Sequence, residues 1–260
     1  MTKSRRKATT RVTDFVWRNV VRLVDGVGRR TVNRGFDDLM SAGCRIVYRF
    51  NESNGVCLTF DDSPSPHSTL ELLAALKLHE VRATFYCIGD NAIRYPKLVK
   101  AIADAGHEIG NHSMTHPDLY RVTRGRLRQE VLECQEVLRA TCGLPSTTFR
   151  APYGHFRWEL RSASRFGIKH LVKWDVEPAW DQCDHNVLAE QILRAVKGGS
   201  IIVLHDGLAG IDQALSKAAG LAAARTVALI APALKAKGLE FRTVSEQFVE
   251  FPAVAQYSIH

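Results

Sequence analysis

Two adjacent carboxylates, Asp61 and Asp62, follow a short apolar run at residues 55–60 and precede a Ser-Pro-Ser-Pro breaker. The run is rich in β-forming residues, so it predicts a buried strand that ends at the two acids. Neighbouring carboxylates repel each other, and holding both at the mouth of an apolar strand costs free energy unless a cation or hydrogen-bond donors compensate. A metal site is therefore one interpretation, and a solvated turn, in which Asp is common, is the other.

A pair of histidines, His112 and His116, follows a short predicted strand at residues 106–110. Residues four apart in one helical turn face the same way, so we expect both imidazoles to reach one ion. With a carboxylate from another strand end they form a two-His, one-carboxylate set. Such a set suits Zn²⁺ with an open water position and is compatible with Fe²⁺ or Co²⁺.

Two more predicted strands also end in polar residues. Arg150 ends the strand at residues 147–150 and opens the sequence Arg-Ala-Pro-Tyr-Gly, where it is suited to bind a carboxylate in two-pronged geometry. His205 follows the most apolar strand, residues 200–204. Each motif alone is compatible with a structural turn or a structural His, but together they predict a hydrolytic site.

Alternating elements are expected to position these residues from residue 55 onward. Strands are predicted near residues 55–60, 83–88, 106–110, 147–150, 170–175, 200–204 and 240–244, and helices near residues 69–79, 91–105, 123–141, 159–166, 187–196 and 213–237. About seven β/α units in this order predict an α/β fold with a parallel barrel or a doubly wound sheet. Chemistry in such folds lies at the C-terminal ends of the strands, where the motifs stand.

Composition and charge limit the function classes. The chain of 260 residues is 45% hydrophobic, which is enough for one large core. Its formal net charge is +8, and this excess lies in residues 1–35, which hold ten basic and two acidic side chains. The other residues have no net charge, because they hold 25 basic and 25 acidic side chains. A nucleic-acid-binding domain would carry excess basic residues in its folded part. The predicted folded part of this chain carries none, so we exclude nucleic acid as its partner.

The basic N-terminal extension, residues 1–50, contains a candidate amphipathic helix near residues 12–27. Such a helix is compatible with peripheral contact to an anionic membrane surface or with docking on the folded body. Charged residues interrupt its apolar run, so no signal peptide is evident, and no stretch reaches the roughly 18 uncharged apolar residues that span a bilayer. The six cysteines form no C-x-x-C pair, and we expect buried reduced thiols in a cytoplasmic protein.

The ordered motifs resemble four of the five motifs of the polysaccharide deacetylase family, also called the NodB-homology or carbohydrate esterase 4 family. They are Thr59-Phe60-Asp61-Asp62, His112-Ser113-x-x-His116, Arg150-x-Pro152-Tyr153-Gly154 and Leu204-His205-Asp206. The resemblance covers about residues 55–250, and it implies a distorted (β/α)7-type barrel as a catalytic domain over residues 51–260. Members of this family remove acetyl groups from N-acetylated sugars or O-acetylated glycans with a divalent metal.

The resemblance also implies roles for individual residues. Asp62, His112 and His116 would hold the metal, which is Zn²⁺ by preference, with Co²⁺ or another divalent ion as alternatives. Either neighbouring acid is chemically able to bind a metal, so the division between them is taken from the family. It makes Asp61 the general base, oriented by Arg150.

Substrate contacts follow from the same family pattern. The backbone N–H of Tyr153, in the turn that begins at Pro152, would stabilise the tetrahedral oxyanion. Leu204 would line the acetyl pocket, and Trp174 would contact the substrate. His205 would protonate the departing amine.

Two departures from the family pattern stand out. Ser63 replaces the usual Gly, which predicts an altered turn after the two acids. The fourth family motif usually supplies a carboxylate that orients the acid His, and here Asp175, Glu177 and Asp181 are candidates. Asp175 ranks first because it ends the predicted strand at residues 170–175. Without such a carboxylate, amide cleavage would suffer more than ester cleavage, because an amine is the worse leaving group.

The predicted function is a metal-dependent hydrolase that removes an acetyl group from an N-acetylated amino sugar in an oligosaccharide, a polysaccharide or a glycolipid. Two alternatives stay open. The same barrel is compatible with cleavage of an O-acetyl ester or a non-sugar amide, and the altered motifs are compatible with a catalytically impaired glycan-binding protein.

Overall fold

The computed structural model describes residues 44–51, 53–143 and 145–250. The predicted amphipathic helix and most of the predicted N-terminal extension lie outside these residues. Within that extension, Arg45–Val47 forms a strand, β1, that the sequence did not predict. The described residues all fall in one unit that begins at Cys44, so the end of the predicted extension is part of the same unit as the sheet.

Eight parallel strands form a curled sheet in the described part of the chain. They are β1 (Arg45–Val47), β2 (Gly55–Ser63), β3 (Thr84–Cys87), β4 (Glu108–Asn111), β5 (Thr148–Phe149), β6 (His170–Val172), β7 (Ile201–His205) and β8 (Glu240–Phe241). The order along the sheet is β1-β6-β5-β4-β3-β2-β7, and β8 pairs with β2. Val176, after β6, bridges to Ile202 on β7. The predicted α/β fold of the distorted-barrel type is confirmed, and the seven predicted strands correspond to β2–β8.

Helices connect and cover these strands. They are α1 (Thr69–Leu78), α2 (Gly89–Arg94), α3 (Pro96–Asp104), α4 (Arg124–Cys142), α5 (His185–Ala195), α6 (Gln213–Ala236) and α7 (Val244–Glu250), with 3-10 segments at Pro152–Gly154, Trp158–Phe166 and Trp180–Gln182. The helix predicted over residues 91–105 is divided into α2 and α3, because Pro96 lacks an N–H and starts a new helix. The helix predicted at residues 159–166 is a 3-10 segment instead.

Strand β2 lies at the centre of the core. All nine of its residues are buried, and it pairs with β3 on one side and with β7 on the other. The largest apolar cluster joins these strands to the inner faces of α1, α5 and α6. A strand that is covered on both faces has a continuous apolar sequence, which is why residues 55–60 were recognisable as a strand. The two acids therefore emerge from the interior of the protein.

Helix α6 is long and apolar enough to cross a membrane, judged by its length and composition alone. However, 50% of its most apolar stretch is buried inside the protein. Its buried residues belong to the same apolar cluster as β2 and β7. This burial is typical of a core helix.

Strand β7 begins with a close backbone contact at Gly199. This residue has a φ of +85°, and a Cβ added to it would collide with the carbonyl oxygen of Phe50. The Gly199 carbonyl also accepts a hydrogen bond from the Phe50 N–H at 2.8 Å. Glycine at this position thus lets the start of β7 pack against the segment after β1.

Replacing Gly199 with Ala is expected to lower the free energy of unfolding by more than about 2 kcal/mol, because backbone strain and the collision add. The matched control is Gly106→Ala, where φ is +81° but an added Cβ meets nothing within 4 Å. We expect this control to cost about 1 kcal/mol. Urea denaturation of both variants measures the difference, and equal losses would contradict the importance of the contact.

Candidate active site

The carboxyl ends of four parallel strands carry the predicted motifs to one edge of the sheet. Asp61 and Asp62 lie at the end of β2, and His205 ends β7 opposite Asp61 in the pairing register. The two histidines follow β4. Arg150 follows β5, and its N–H donates to the carbonyl of Asn111 at the end of β4 at 3.0 Å. Parallel pairing therefore gathers motifs that are far apart in the sequence.

The end of β2 departs from regular strand geometry. Its register against β3 shifts between Phe60 and Ser63, and Asp62 has a left-handed φ of 62°. Both acids consequently lie near His112 Nε2, with Asp61 Oδ2 at 3.8 Å and Asp62 Oδ1 at 3.5 Å. Neighbours in a regular strand would point to opposite faces. Ser63, which replaces the family's Gly, pairs with Cys87 on β3. The residue with the left-handed backbone is Asp62, not Ser63.

Asp62, His112 and His116 form a metal-binding candidate, which we call the metal trio. One ligand atom from each lies within 4.8 Å of the others, and no other such cluster occurs among the described residues. The prediction of a helical turn for the two histidines is wrong. Residues 112–116 form a loop, because Ser113 and His116 have left-handed φ values of 67° and 56°. The loop still places the two imidazole centroids 5.0 Å apart.

The arrangement of the imidazole nitrogens suits cation binding. His112 Nδ1 lies 2.8 Å from the carbonyl oxygen of Arg150, so Nδ1 carries a proton and Nε2 faces the carboxylates of Asp61 and Asp62. Burial opposes protonation of His112, but these carboxylates outweigh burial and raise its pKa above the ordinary value. Burial lowers the pKa of His116 to about 4, so this imidazole is neutral at pH 7.

The Asp62 carboxylate has one oxygen held and one oxygen free. Its Oδ2 accepts a hydrogen bond from the Ala209 N–H at 2.8 Å. Its Oδ1 is buried and has no hydrogen-bond partner among the described residues, although it lies 3.2 Å from His116 Nε2. An unpartnered buried carboxylate oxygen beside two imidazole nitrogens fits a divalent cation.

Glu130 on α4 holds the loop between the two histidines, and the sequence analysis missed it. Its fully buried carboxylate accepts hydrogen bonds from the Thr115 N–H at 2.8 Å and the Thr115 hydroxyl at 2.7 Å, and it pairs with Arg126 at 2.7 Å. Asn111 Oδ1 accepts a further bond from the Ser113 N–H at 2.9 Å. The available signal was that Glu130 falls on the apolar stripe of α4, where an acid is rarely buried without a partner.

Arg150 is fully buried inside the curl of the sheet. Its Nη1 donates to Asp61 Oδ1 at 2.8 Å and to the Thr59 hydroxyl at 2.6 Å. Its other N–H groups donate to the carbonyls of Val172 at 3.3 Å and Lys173 at 3.0 Å. The predicted contact with a carboxylate is present, but it uses one guanidinium nitrogen rather than two because the carbonyls take the others.

His205 pairs in register with Asp61, the residue before Asp62 of the metal trio. Its ring packs against Trp180 with centroids 4.8 Å apart, and its buried Nδ1 has no hydrogen-bond partner among the described residues. The prediction that Asp175 orients His205 is wrong. Asp175 accepts hydrogen bonds from the Ser200 hydroxyl at 3.0 Å and the Ile201 N–H at 2.7 Å. Ser200 and Ile201 lie at the start of β7, whereas His205 ends this strand. Asp175 reaches the start because the chain after β6 runs beside it.

The two other candidates do not replace Asp175. Glu177 accepts a hydrogen bond from the Trp174 indole N–H at 2.8 Å. Neither Glu177 nor Asp181 bonds to His205 Nδ1. The family's carboxylate partner for this His is therefore missing from the described residues.

One predicted substrate contact, Tyr153, lies beside the metal trio, and the other three lie on nearby strands and loops. Tyr153 has a left-handed φ of 59°, and its ring centroid lies 4.8 Å from that of His116. The Trp174 indole packs so closely on Gly154 that an added Cβ would lie 2.8 Å from the ring. Pro152 and Leu204 are buried, and Leu204 pairs with Phe60 one residue before the acids.

Replacing Arg150 with Met is expected to lower the free energy of unfolding by about 3–5 kcal/mol, because it leaves the Asp61 charge buried and unpaired. The control is Arg139→Met, which removes an ion pair with Glu136 whose side chains are 58% and 65% exposed. This control should cost less than about 0.5 kcal/mol. Urea denaturation measures both values, and a small loss for Arg150→Met would show that the buried pair is not required.

Comparisons with known proteins agree with this geometry. The sequence matches a family model described as polysaccharide deacetylase over residues 50–170. It is 33% identical over 220 residues to a chitooligosaccharide deacetylase of Bradyrhizobium sp. (strain ANU 289), which covers 83% of this chain and 95% of that protein. It is 34% identical over 199 residues to a peptidoglycan-N-acetylglucosamine deacetylase of Bacillus cereus, which covers 74% of this chain and 68% of that protein.

Solved structures have the same architecture. A family 4 carbohydrate esterase from Streptomyces lividans in complex with acetate superposes with a TM-score of 0.65 and 31% identity over 79% of this chain and 99% of that one. The Bc1960 peptidoglycan N-acetylglucosamine deacetylase superposes with a TM-score of 0.72 and 28% identity over 82% of this chain and 95% of that one. Sequence, fold and motif geometry agree, and the chain belongs to the polysaccharide deacetylase family.

Proposed function

We propose that this protein is a metal-dependent hydrolase that removes the acetyl group from an N-acetylated amino sugar within an oligosaccharide, a polysaccharide or a glycolipid. The observation that carries the proposal is the division of two neighbouring acids. Asp61 is paired with Arg150, whereas Asp62 faces His112 and His116 with a free carboxylate oxygen. The relatives named for deacetylation of chitooligosaccharides and of peptidoglycan N-acetylglucosamine support the same substrate class.

In this proposal Asp62, His112 and His116 hold a divalent cation, with Zn²⁺ preferred over Co²⁺ because a two-His, one-carboxylate set suits it. The cation, when bound, polarises the acetyl carbonyl and lowers the pKa of water. The chain positions its ligands through the Ala209 N–H on Asp62 and the Arg150 carbonyl on His112.

The remaining steps are assigned to the chain's own groups. Asp61 accepts the proton from the attacking water, and Arg150 keeps that carboxylate in place beside the site. The Tyr153 N–H donates to the oxygen on which negative charge develops, and Leu204 and Trp174 contact the substrate. His205 donates a proton to the leaving amine, so that the C–N bond breaks to give acetate and a free amino sugar.

Purified protein is expected to release acetate from chitooligosaccharides, and a chelator should abolish the release until Zn²⁺ or Co²⁺ is restored. The measurement is acetate released from a panel of N-acetylhexosamine glycans, O-acetylated xylan and cyclic amides. Activity confined to the xylan or the cyclic amides would overturn the substrate class while leaving a hydrolase. Binding of glycans by the metal-loaded protein without turnover of any substrate would favour the impaired glycan-binding alternative.

Asp61→Asn and Asp62→Ala are expected to separate the two acids. Asp61→Asn should keep metal affinity and lower kcat by about 10²–10⁴, because the amide cannot accept the proton. Asp62→Ala should weaken Zn²⁺ binding by at least about tenfold, because it removes a ligand. Titration of Zn²⁺ against a competing chelator, with acetate release in parallel, measures both. The opposite pattern would exchange the roles of the two acids.

Glu130→Gln is expected to weaken Zn²⁺ binding by about tenfold, because a single amide oxygen cannot replace both acceptor oxygens that hold Thr115. The matched control is Glu133→Gln, one turn along the same helix and exposed. It should bind Zn²⁺ as the wild type does. Equal affinities in the two variants would show that Glu130 does not position the loop.

Cleavage of O-acetyl esters is the second candidate, and the geometry of His205 favours it. Within the described residues, no carboxylate is hydrogen-bonded to His205 Nδ1 to orient the ring as a proton donor. An amine leaving group needs proton donation by this ring more than an alcohol does. The ratio of kcat/KM values for matched N-acetyl and O-acetyl sugars decides between the two candidates.

We further propose a cytoplasmic location, peripheral to the membrane through the basic N-terminal extension. The six free cysteines are compatible with a reducing compartment. Membrane fractionation of the full chain and of a chain without residues 1–35 tests the proposal. Equal distribution of the two would overturn the membrane contact.

A further inference from the structure

Residues 36–260 carry no net charge, but their basic side chains are concentrated in two short segments. Residues 121–128 and 157–165 together hold seven arginines and one acidic residue, Glu159. The remainder of residues 36–260 holds 18 basic and 24 acidic side chains. The balanced total therefore conceals a separation of charge into a positive part and a negative remainder.

The two segments lie side by side and form one surface. The second segment contains most of the 3-10 segment Trp158–Phe166, which packs against α4. Arg124, which begins the helix, pairs with Glu159 at 2.9 Å. The Arg128 guanidinium carbon lies 5.2 Å from the centroid of the Phe166 ring. We call this surface the arginine face, and its members are Arg121, Arg124, Arg126, Arg128, Arg157, Arg161 and Arg165.

Most of the positive charge on the arginine face is open to solvent. The side chains of Arg121 and Arg124 are 86% and 82% exposed, and Arg128 and Arg165 are exposed as well. Within the described residues, three carboxylates pair with members of the face, namely Asp118, Glu130 and Glu159. Seven guanidinium groups thus exceed the acids that compensate them, and the face is complementary to a polyanionic surface.

Trp158 adds an apolar ring to the arginine face. It begins the 3-10 segment and is 62% exposed. The guanidinium carbon of Arg161, a buried residue, lies 4.9 Å from the ring centroid and supports the ring from below. An exposed Trp among cationic side chains is typical of a surface that lies on a membrane, because the indole prefers the boundary between headgroups and hydrocarbon.

A membrane fits this charge distribution better than a nucleic acid does. Guanidinium groups bind phosphate in two-pronged geometry, which suits phospholipid headgroups. A lipid surface meets one face of a protein, so the negative remainder of the chain stays away from it. A nucleic acid that continued beyond the arginine face would meet net negative surface, which weakens its binding.

We propose that the arginine face docks the folded protein on a membrane that contains anionic phospholipids. This contact is separate from residues 1–35 and does not rest on the deacetylase reaction. Helix α4 also carries Glu130, which holds the loop between the two histidines through Thr115. Docking through the start of this helix therefore holds the metal trio near the lipid surface.

The test measures co-sedimentation of the full chain with phosphatidylcholine vesicles that contain about 30% phosphatidylglycerol. Arg128→Gln/Arg165→Gln should lower the partition coefficient about tenfold, because each guanidinium near an anionic surface contributes to binding. The wild type should bind vesicles of pure phosphatidylcholine at least about tenfold more weakly than the anionic vesicles.

The charge-matched control is Arg139→Gln/Arg225→Gln, at exposed positions in the second half of α4 and on α6. It should stay within about twofold of the wild type, because both positions are farther from the docked surface than salt screening allows charges to act. All four substituted side chains are exposed, so both double variants should unfold at the same urea concentration as the wild type. Every chain keeps residues 1–35, and a difference between the variants therefore reports on the arginine face.

Trp158→Phe gives a second measurement that does not depend on charge. Tryptophan fluorescence of the wild type should shift to shorter wavelength on the anionic vesicles, because the indole enters the interface, and the variant should show a smaller shift. Equal partition of the two double variants, or equal shifts with and without Trp158, overturns the inference. Tighter binding of the wild type to duplex DNA than to the vesicles, lost in Arg128→Gln/Arg165→Gln, assigns the face to nucleic acid and also overturns it.

Discussion

Arg150 follows β5, and Asp61 lies at the end of β2, which is three places from β5 in the sheet order. The Arg150 guanidinium crosses the inside of the curled sheet to pair with Asp61. A buried ion pair is favourable only when the remaining polar hydrogens find acceptors. The backbone carbonyls of the last residue of β6 and of the residue after it supply them, and the centroid of the Tyr86 ring lies 4.2 Å from the guanidinium carbon. The pair compensates one of two neighbouring negative charges, which leaves Asp62 available to the histidines. The curvature of the sheet is what allows this contact.

Backbone strain at the site is the second requirement. The left-handed residues other than glycine that carry or flank the motifs are Asp62, Ser113, His116 and Tyr153. Such conformations cost about 1–3 kcal/mol each and persist only where surrounding contacts determine them. Glu130 and Asn111 provide these contacts for the histidine loop. Without this support the same residues would relax, and the ligand atoms would separate.

Much of the fold was readable from the sequence because buried parallel strands have continuous apolar runs with polar residues at their ends. Strand β1 was missed because its three residues, Arg45–Val47, are too few to show a strand pattern. The helix at 159–166 was wrongly expected because amphipathic spacing does not distinguish an α-helix from a 3-10 segment. Glu130 was missed because a Glu on a helix usually faces solvent. Asp175 was misplaced because β6 ends at Val172, three residues earlier than predicted, and the chain then turns toward the start of β7.

The sequence by itself determined the residue types at the strand ends and their order along the chain, and with them the family. Periodicity and local propensity encode that information residue by residue. The tertiary structure alone decided which acid faces the histidines and that His205 Nδ1 has no carboxylate partner among the residues that the structure describes. These outcomes depend on a bulge in β2, on left-handed loop residues and on contacts between distant strands. Such features arise from packing across the sheet, and no local stretch of sequence specifies them.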